Sequence, residues 1–304
     1  MTDDVINDSV QDDPGDDQIV RRENFDASES LEIEVELGAG LVTIALVEEP
    51  GASVEVRYEP GASTPWLQGL TSMLDWFGAG QFGGSARAAE TVVRETRIDL
   101  IGRRLVVRSP KQHHLIPLAV AVRAPAGSSL EVSVGSADMT VTGPAGRVKL
   151  NAGSGGVTLD RADGPAEIHS GSGALRLGPM LAGLRARSGS GEIEVSSVGG
   201  TSTLVTGSGD VWLGAVQSDV RVRTGSGDIT VADAACGQVE LVTGSGEIRI
   251  GVRSGAKARL DLRSGSGQAR SELDLSHTPP TEGAKLDLRG RTGSGNVVVT
   301  SAVG

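Results

Sequence analysis

Short runs in which apolar and polar residues alternate recur along most of this chain, at a nearly fixed interval. From Gly135 onward, each run follows a Gly-Ser-Gly or similar tripeptide, and the first five intervals between tripeptides are eighteen residues long. The later intervals are 19, 21 and 28 residues. Alternation at period two predicts a short strand with one buried face. A fixed repeat of this length predicts a solenoid in which each repeat forms one coil.

The tripeptides begin at Gly135, Gly153, Gly171, Gly189, Gly207, Gly225, Gly244, Gly265 and Gly293.

Five apolar positions define the inward face of each predicted coil. In the coil that begins at Gly207 they are Val211, Leu213, Val216, Val220 and Val222. This spacing predicts two short strands joined by one buried residue. We therefore predict an all-β fold, a single-stranded parallel β-helix or β-solenoid with about 18 residues per coil. We prefer a right-handed coil because parallel crossovers are strongly right-handed. A left-handed helix of three hexapeptides has the same period, but it needs an apolar residue at every sixth position.

The Gly-Ser-Gly tripeptide followed by an acid admits three interpretations. A phosphate-binding loop requires a lysine and a Ser or Thr before a helix, and none follows here. A calcium roll uses a nine-residue unit, although weak divalent binding stays open along Glu192, Asp210, Asp228 and Glu247. We favour a tight bend, in which glycine adopts positive φ and small residues of successive coils stack about 4.8 Å apart.

The remaining chain predicts three regions. Residues 1–22 contain seven aspartates within the first twenty positions, in a chain of net charge −11, and we predict a disordered acidic tail. Residues 23–134 read as irregular β coils that cap the solenoid, with an apolar helical insertion at 61–90. Residues 135–304 form the predicted Gly-Ser-Gly solenoid.

The insertion concentrates four of the seven aromatic residues, and its large apolar side chains follow helical spacing over 64–84. We predict either a helix packed on the solenoid or a segment that docks on a protein partner or membrane surface. The candidate docking residues are Trp66, Leu70, Met73, Leu74, Trp76 and Phe77.

One outward column of the predicted coils is rich in arginine. Arg187 and Arg223 occupy the same position of two coils, and Arg221 lies beside them. A solvated face is the simplest interpretation. The alternative is a face that binds an anionic polymer or a phospholipid headgroup. The chain as a whole has no basic footprint, which argues against a nucleic acid partner.

The ends of the chain suggest further expectations. The last coil begins at Gly293 and stops at Gly304, its twelfth residue, so its strand is expected to be exposed and to pair with a second copy. The N-terminus lacks the pattern of a signal peptide, and no apolar run is long enough to span a membrane. We therefore expect a cytoplasmic protein, at most peripheral to a membrane. Cys236 has no internal partner for a disulfide, and no motif indicates a cofactor.

Three stretches of the chain resemble a known bacterial family. They are LEIEVELGAGLVTIAL at 31–46, VRAPAGSSLEVSVGSADMTVTG at 122–143, and the serial TGSGD-like units. They are similar to the adhesin-like, or toastrack, β-strand repeat proteins of unknown function, many of them actinobacterial. The resemblance covers about residues 25–304. It implies a β-helical domain, in some members linked to envelope-stress systems, and it implies no catalytic residues.

We therefore expect a non-catalytic β-solenoid that acts as an interaction scaffold. The alternative is a carbohydrate-binding or carbohydrate-active β-helix. An enzyme of that kind needs two or three carboxylates that project from neighbouring coils. The outward column of the first strand instead holds one acid, in the series Thr158, Arg176, Glu194, Trp212, Thr230 and Arg249.

Overall fold

The structure, a computed structural model, describes residues 19–59, 83–273 and 285–302 and is almost entirely β. It divides into two compact units, Met1–Gly143 and Pro144–Gly304. The candidate docking residues between Trp66 and Phe77 lie outside the described residues. Within the described ranges, no helix has the length and apolar character needed to cross a bilayer.

The elements of the first unit are β1 (Val20–Phe25), β2 (Glu32–Val47), β3 (Ala52–Tyr58), α1 (Gly83–Glu95), β4 (Arg97–Ile101), β5 (Arg104–Arg108), a 3-10 turn (Lys111–His113), β6 (Leu118–Pro125) and β7 (Ser129–Ala145), which runs past the boundary between the units.

The long strand β2 organises the first unit. Its two halves pair in parallel with β5 and β6, and β7 pairs with the same residues along its other edge. Three antiparallel pairs, β1 with β3, β3 with β6, and β4 with β5, complete the arrangement. Alternate residues of β2, such as Ile33, Val35 and Ile44, are fully buried, as the period-two pattern predicts.

Several predicted boundaries differ from the structure in this unit. Strand β1 begins at Val20, so the end of the predicted 1–22 tail belongs to a strand. Helix α1 extends beyond the predicted insertion at 61–90 and ends at Glu95. The tripeptide at Gly135 was predicted to bend, but it lies inside β7. A Cβ on Gly135 would lie 2.4 Å from the carbonyl oxygen of Gly38, so this glycine allows two strands to approach closely.

Glu34 of β2 forms ion pairs with two arginines of β5 on the surface of this unit. Its carboxylate accepts hydrogen bonds from Arg104 and Arg108 of β5, with Nε atoms at 3.1 and 2.9 Å. The hydrogen bond from Arg108, followed by the one from Arg104, holds the pKa of Glu34 below its ordinary value. The carboxylate is mostly covered, since 15% of its side chain is exposed.

We expect Glu34→Gln to lower stability in a pH-dependent manner. Because the folded-state pKa of Glu34 is lowered, its contribution is complete above the ordinary value of 4.5 and is lost as pH falls through the lower folded value. Urea melts should therefore show the largest difference from wild type near neutral pH, and the difference should shrink progressively as pH falls below 4.5. Glu36→Gln, an exposed carboxylate of the same strand, is the control. A difference that stays constant with pH would contradict the expectation.

The strands of the second unit are β8 (Val148–Ala152), β9 (Val157–Ala162), β10 (Ala166–Ser170), β11 (Leu175–Met180), β12 (Leu184–Ser188), β13 (Ile193–Val198), β14 (Ser202–Thr206), β15 (Val211–Val216), β16 (Val220–Ser226), β17 (Ile229–Ala234), β18 (Gly237–Ser245), β19 (Ile248–Val252), β20 (Lys257–Ser266), β21 (Ala269–Ser271), β22 (Lys285–Ser294) and β23 (Val297–Ser301).

These strands form two parallel ladders, which confirms the predicted β-solenoid. Ladder one contains the odd-numbered strands β9 to β23, and ladder two the even-numbered strands β8 to β22. Equivalent positions of successive coils lie directly opposite each other, as in Val195, Leu213 and Val231. The apolar inward side chains are buried in all of these strands except β20 and β21. Each coil therefore completes its core with the coils on either side.

The glycines of the bends are required by close approach and not, in most coils, by positive φ. In the described bends, positive φ is confined to Gly246, Gly267 and Gly295. A Cβ on Gly209, in contrast, would lie 2.1 Å from the carbonyl oxygen of Gly191 in the preceding coil. The predicted tight bend and the close stacking of its small residues are therefore confirmed, whereas the positive φ expected at its glycines is confined to three of them in the described bends.

Buried hydroxyl groups connect the bends of successive coils. Thr224 Oγ1 donates to the carbonyl oxygen of Gly209 at 3.2 Å, and Thr243 Oγ1 donates to that of Gly227 at 2.9 Å. Both threonines are buried. Since a buried carbonyl without a partner is costly, these bonds explain the Thr that precedes the bends at Gly225 and Gly244.

The last coil of the sequence does not lie at the end of the second unit. Strand β22 pairs with β18 on one edge and with β20 on the other, and β23 lies in the same way between β19 and β21. The predicted exposed C-terminal strand is therefore wrong. β22 has no unpaired edge for a second copy, because β20 pairs with its outer edge. In the same way, β21 pairs with the outer edge of β23.

Candidate anion-binding face

The outward face of ladder two carries two pairs of arginines at defined spacing. Arg185 and Arg187 project from β12, and Arg221 and Arg223 project from β16. Strand β14 separates the pairs and places Val205 between Arg187 and Arg223. Strands of a sheet lie about 4.8 Å apart, so the two pairs are roughly 10 Å apart. All four arginines are exposed.

The two pairs differ in their counter-charges. Arg221 Nε lies 2.9 Å from Glu240 of β18, and Arg223 lies 3.5 Å from the same carboxylate. Arg185 and Arg187 make no ion pair with any residue of the described ranges. A guanidinium group binds carboxylate, sulfate or phosphate oxygens through paired N–H donors. The face therefore presents two uncompensated cations beside two that share one anion.

The neighbouring coil on the other side of the Arg185 pair is more acidic. Glu167 and His169 of β10 lie opposite Arg185 and Arg187. The His169 ring is 3.8 Å from Glu167 and 3.3 Å from Asn151 Oδ1. This coil limits the basic surface on one side, so the basic face is defined here as Arg185, Arg187, Arg221 and Arg223.

The arginines of the last coils also share a carboxylate. Arg263 lies 3.0 Å from Asp261, and Arg291 lies 3.4 Å from the same carboxylate. The hydrogen bond from Arg263 is the main cause that lowers the pKa of Asp261, with a further contribution from Arg291. Both arginines therefore form ion pairs, as Arg221 and Arg223 do with Glu240 and as Arg185 and Arg187 do not within the part of the chain that the structure describes.

The acidic column beside the bends has a structural role. Asp210 Oδ1 accepts a hydrogen bond from the backbone N–H of Asp228 at 2.8 Å. Asp228 Oδ1 in turn accepts one from the N–H of Glu247 at 2.7 Å. The carboxylates thus link one coil to the next. No cluster of three or more His, Cys, Asp or Glu side chains in the described ranges has the arrangement of a metal site.

A family model, Toastrack DUF4097, matches residues 101–301, which are 201 of the 304 residues. The chain belongs to the Toastrack DUF4097 family. Among proteins of curated function, none matches this toastrack chain.

Solved structures show similarity to this toastrack protein at low sequence identity. A candidate adhesin from Bacteroides fragilis is 11% identical, over 92% of this chain and 96% of its own, with a TM-score of 0.38. A candidate lipid-binding protein from Parabacteroides distasonis is 13% identical over the same shares, with a TM-score of 0.42. A candidate cell adhesion protein from Clostridium sporogenes is 9% identical, over 93% and 99%, with a TM-score of 0.25. None of these likenesses specifies a function for this chain.

The three arginines predicted from the sequence lie on one surface of this toastrack protein, within the basic face. Arg187, Arg221 and Arg223 all project from ladder two, and Arg185 joins them. The repeat in the sequence aligns Arg187 with Arg223, but it does not show which of these arginines have a carboxylate partner. That pairing depends on the register that brings Glu240 opposite Arg221.

Proposed function

We propose that this toastrack protein is a non-catalytic interaction module of the adhesin-like kind, which binds anionic polymers or surfaces through its basic face. The observation that carries the proposal is the exposed pair Arg185 and Arg187, which has no counter-ion in the described ranges, next to Arg221 and Arg223. Exposed cations that have few anionic neighbours attract polyanions, and the ionic strength sets the distance over which this attraction acts.

The rigidity of the ladder supports this proposal. All four arginines project from short strands whose inward neighbours, such as Ala186 and Val222, are fully buried. Their backbone positions are therefore fixed by the core, and little ordering is needed on binding. A spacing of roughly 10 Å between pairs suits a partner with repeated anionic groups, because each pair can hold a separate group.

The outward acids support a binding role over a hydrolytic one. Glu194 of ladder one lies opposite Arg176 and Trp212 in the adjacent coils. A glycoside hydrolase instead uses two carboxyl groups on either side of the scissile bond. The envelope link implied by the toastrack resemblance suggests phosphate-rich envelope surfaces as the class of partner.

The proposal predicts that the variant Arg185→Gln/Arg187→Gln loses binding to polyanions. Retention on dextran sulfate, and sedimentation with vesicles that contain phosphatidylglycerol, would be measured for the full chain at low salt. Because each surface cation contributes about 1 kcal/mol to such binding, the loss of two should weaken binding by about 2 kcal/mol, or roughly thirtyfold.

A variant with the same change in net charge serves as the control. Arg147→Gln/Arg161→Gln removes two exposed arginines outside the basic face. The control should bind as wild type does. Equal losses in both variants would show that net charge, and not this face, determines binding, and unchanged binding in the first variant would refute the proposal.

A further inference from the structure

Trp212 is an exposed indole on the outward face of ladder one. It projects from β15, and 37% of the residue is accessible to solvent. The ring extends along its own strand, because its Cη2 lies 3.2 Å from the point where a Cβ of Gly214 would be. Gly214 is buried although it faces outward. The indole therefore covers this glycine with one side and presents another to solvent.

The residues around Trp212 are polar. Glu194 and Thr230 lie directly opposite it in the adjacent coils, and Arg176 and Arg249 lie one coil further away in each direction. A large apolar ring in such a row gains nothing from its exposed surface unless a ligand covers it.

A shallow cavity of about 430 Å³ begins at the next coil beyond Trp212. Thr230 and Ala232 form its near side, opposite Trp212 and Gly214. Gly251 also lines the cavity, and a Cβ on it would lie 2.1 Å from the carbonyl oxygen of Ala232. The indole does not line the cavity but lies one coil away from it, opposite Thr230. The cavity and the neighbouring indole are together called the groove below.

The polar groups of the cavity are balanced in charge. Arg249 is paired with Glu247 at 2.8 Å, and Arg270 is 3.7 Å from Glu272. All four side chains line the cavity. The groove thus offers N–H donors and carboxylate acceptors side by side with no net charge. Adjacent hydroxyl groups of a sugar both donate and accept hydrogen bonds, and they match such a pair.

We propose that this groove binds a neutral linear glycan. The exposed indole stacks on the apolar face of one pyranose ring, and the pairs Arg249–Glu247 and Arg270–Glu272 bind hydroxyl groups of the following rings. Coils repeat about every 4.8 Å, a distance close to the length of one pyranose residue, so a chain that runs across the coils meets equivalent positions at each step. The charge balance favours a neutral glycan over an acidic one.

This glycan site is distinct from the anionic function proposed above. The basic face lies on ladder two, whereas Trp212 and the cavity lie on ladder one. Either proposal can fail without the other. A loss of dextran sulfate binding in Arg185→Gln/Arg187→Gln has no bearing on Trp212.

Tryptophan fluorescence and affinity electrophoresis test the groove directly. Trp66→Phe/Trp76→Phe leaves Trp212 as the sole tryptophan of the full chain. Hydroxyethylcellulose, xylan, galactomannan and laminarin are the probes. We expect at least one of them to shift the Trp212 emission to shorter wavelength and to retard the protein in a gel. In the otherwise wild-type chain, Trp212→Ala should reduce the retardation roughly tenfold, while Trp212→Phe should keep most of it.

The controls separate this result from misfolding and from general stickiness. Thr158→Ala lies at the same outward position three coils away and should bind as wild type does. Thermal melts should show that Trp212→Ala and Trp212→Phe are both folded at the assay temperature, although the alanine variant loses the cover that the indole gives to Gly214. Absence of retardation with all four glycans, or equal retardation of wild type and Trp212→Ala, would overturn the proposal.

Discussion

Replacing Gly209 by alanine is expected to lower the free energy of unfolding by about 3 kcal/mol or more. The added Cβ would lie 2.1 Å from the carbonyl oxygen of Gly191 and 2.6 Å from its carbon. Those atoms belong to the backbone of the stacked coil, so no side-chain rotation relieves the clash. Either the coils separate or their ladder hydrogen bonds distort. Urea denaturation followed by far-ultraviolet circular dichroism would measure the loss.

Ser208→Ala is the matched control for the glycine variant. Ser208 belongs to the same bend and is exposed, so the removal of its hydroxyl should change stability by less than about 0.5 kcal/mol. If Gly209→Ala were as stable as Ser208→Ala, the close approach between coils would not be the reason for glycine at this position.

Replacing Leu204 by alanine is expected to cost about 2–5 kcal/mol. Leu204 is fully buried in β14, and its inward neighbours in register are Ala186 and Val222. Truncation removes apolar burial and leaves a cavity that the rigid ladders on both sides cannot close. Because each coil stabilises its neighbours, the substitution should lower the stability of the whole second unit.

Val205→Ala, one residue further along the same strand, provides the comparison for Leu204→Ala. Val205 faces outward and is 37% exposed, so its truncation should cost less than about 1 kcal/mol. Comparable losses in the two variants would contradict the assignment of inward and outward faces in ladder two. Thermal or urea melts of both proteins decide the matter.

The two ladders could be predicted because two periods coincide in this sequence. Alternation at period two identifies each strand, and repetition at eighteen residues brings residues such as Val211 and Ile229 into register. The stacking of small residues at the bends follows from the same repeat, but the exact distance between backbones of different coils does not, because no pattern within one coil specifies it. For the same reason the alternation does not show which of the bend glycines adopt positive φ.

The position of the last coil was also beyond the repeat pattern. The intervals lengthen to 21 and 28 residues beyond Gly244, and the coils at Gly265 and Gly293 carry similar strands. By periodicity alone, the strand of either coil could pair with β18. The structure selects β22, whose Leu288 is fully buried, whereas Leu260 of β20 is partly exposed at the outside.

Parts of the candidate sites could be predicted from the sequence and parts could not. The arginine column was visible, since Arg187 and Arg223 share a position of the repeat. The ion pairs of the arginines depend on acids in other coils. Glu240 pairs with Arg221, and Asp261 pairs with Arg291. Trp212 was counted as an outward residue, but its position over Gly214 depends on a side-chain rotamer that the sequence does not specify.

The insertion of β22 and β23 between earlier strands has a consequence for biosynthesis. The ribosome delivers β20 and β21 before the coil on which they finally rest. Until residues 285–302 emerge, the nearest vacant edge for β20 is β18, the place that β22 later occupies. The nascent chain must either keep β20 away from β18 or later replace it there with β22, so this part of the unit cannot reach its final pairing until residues 285–302 have been translated.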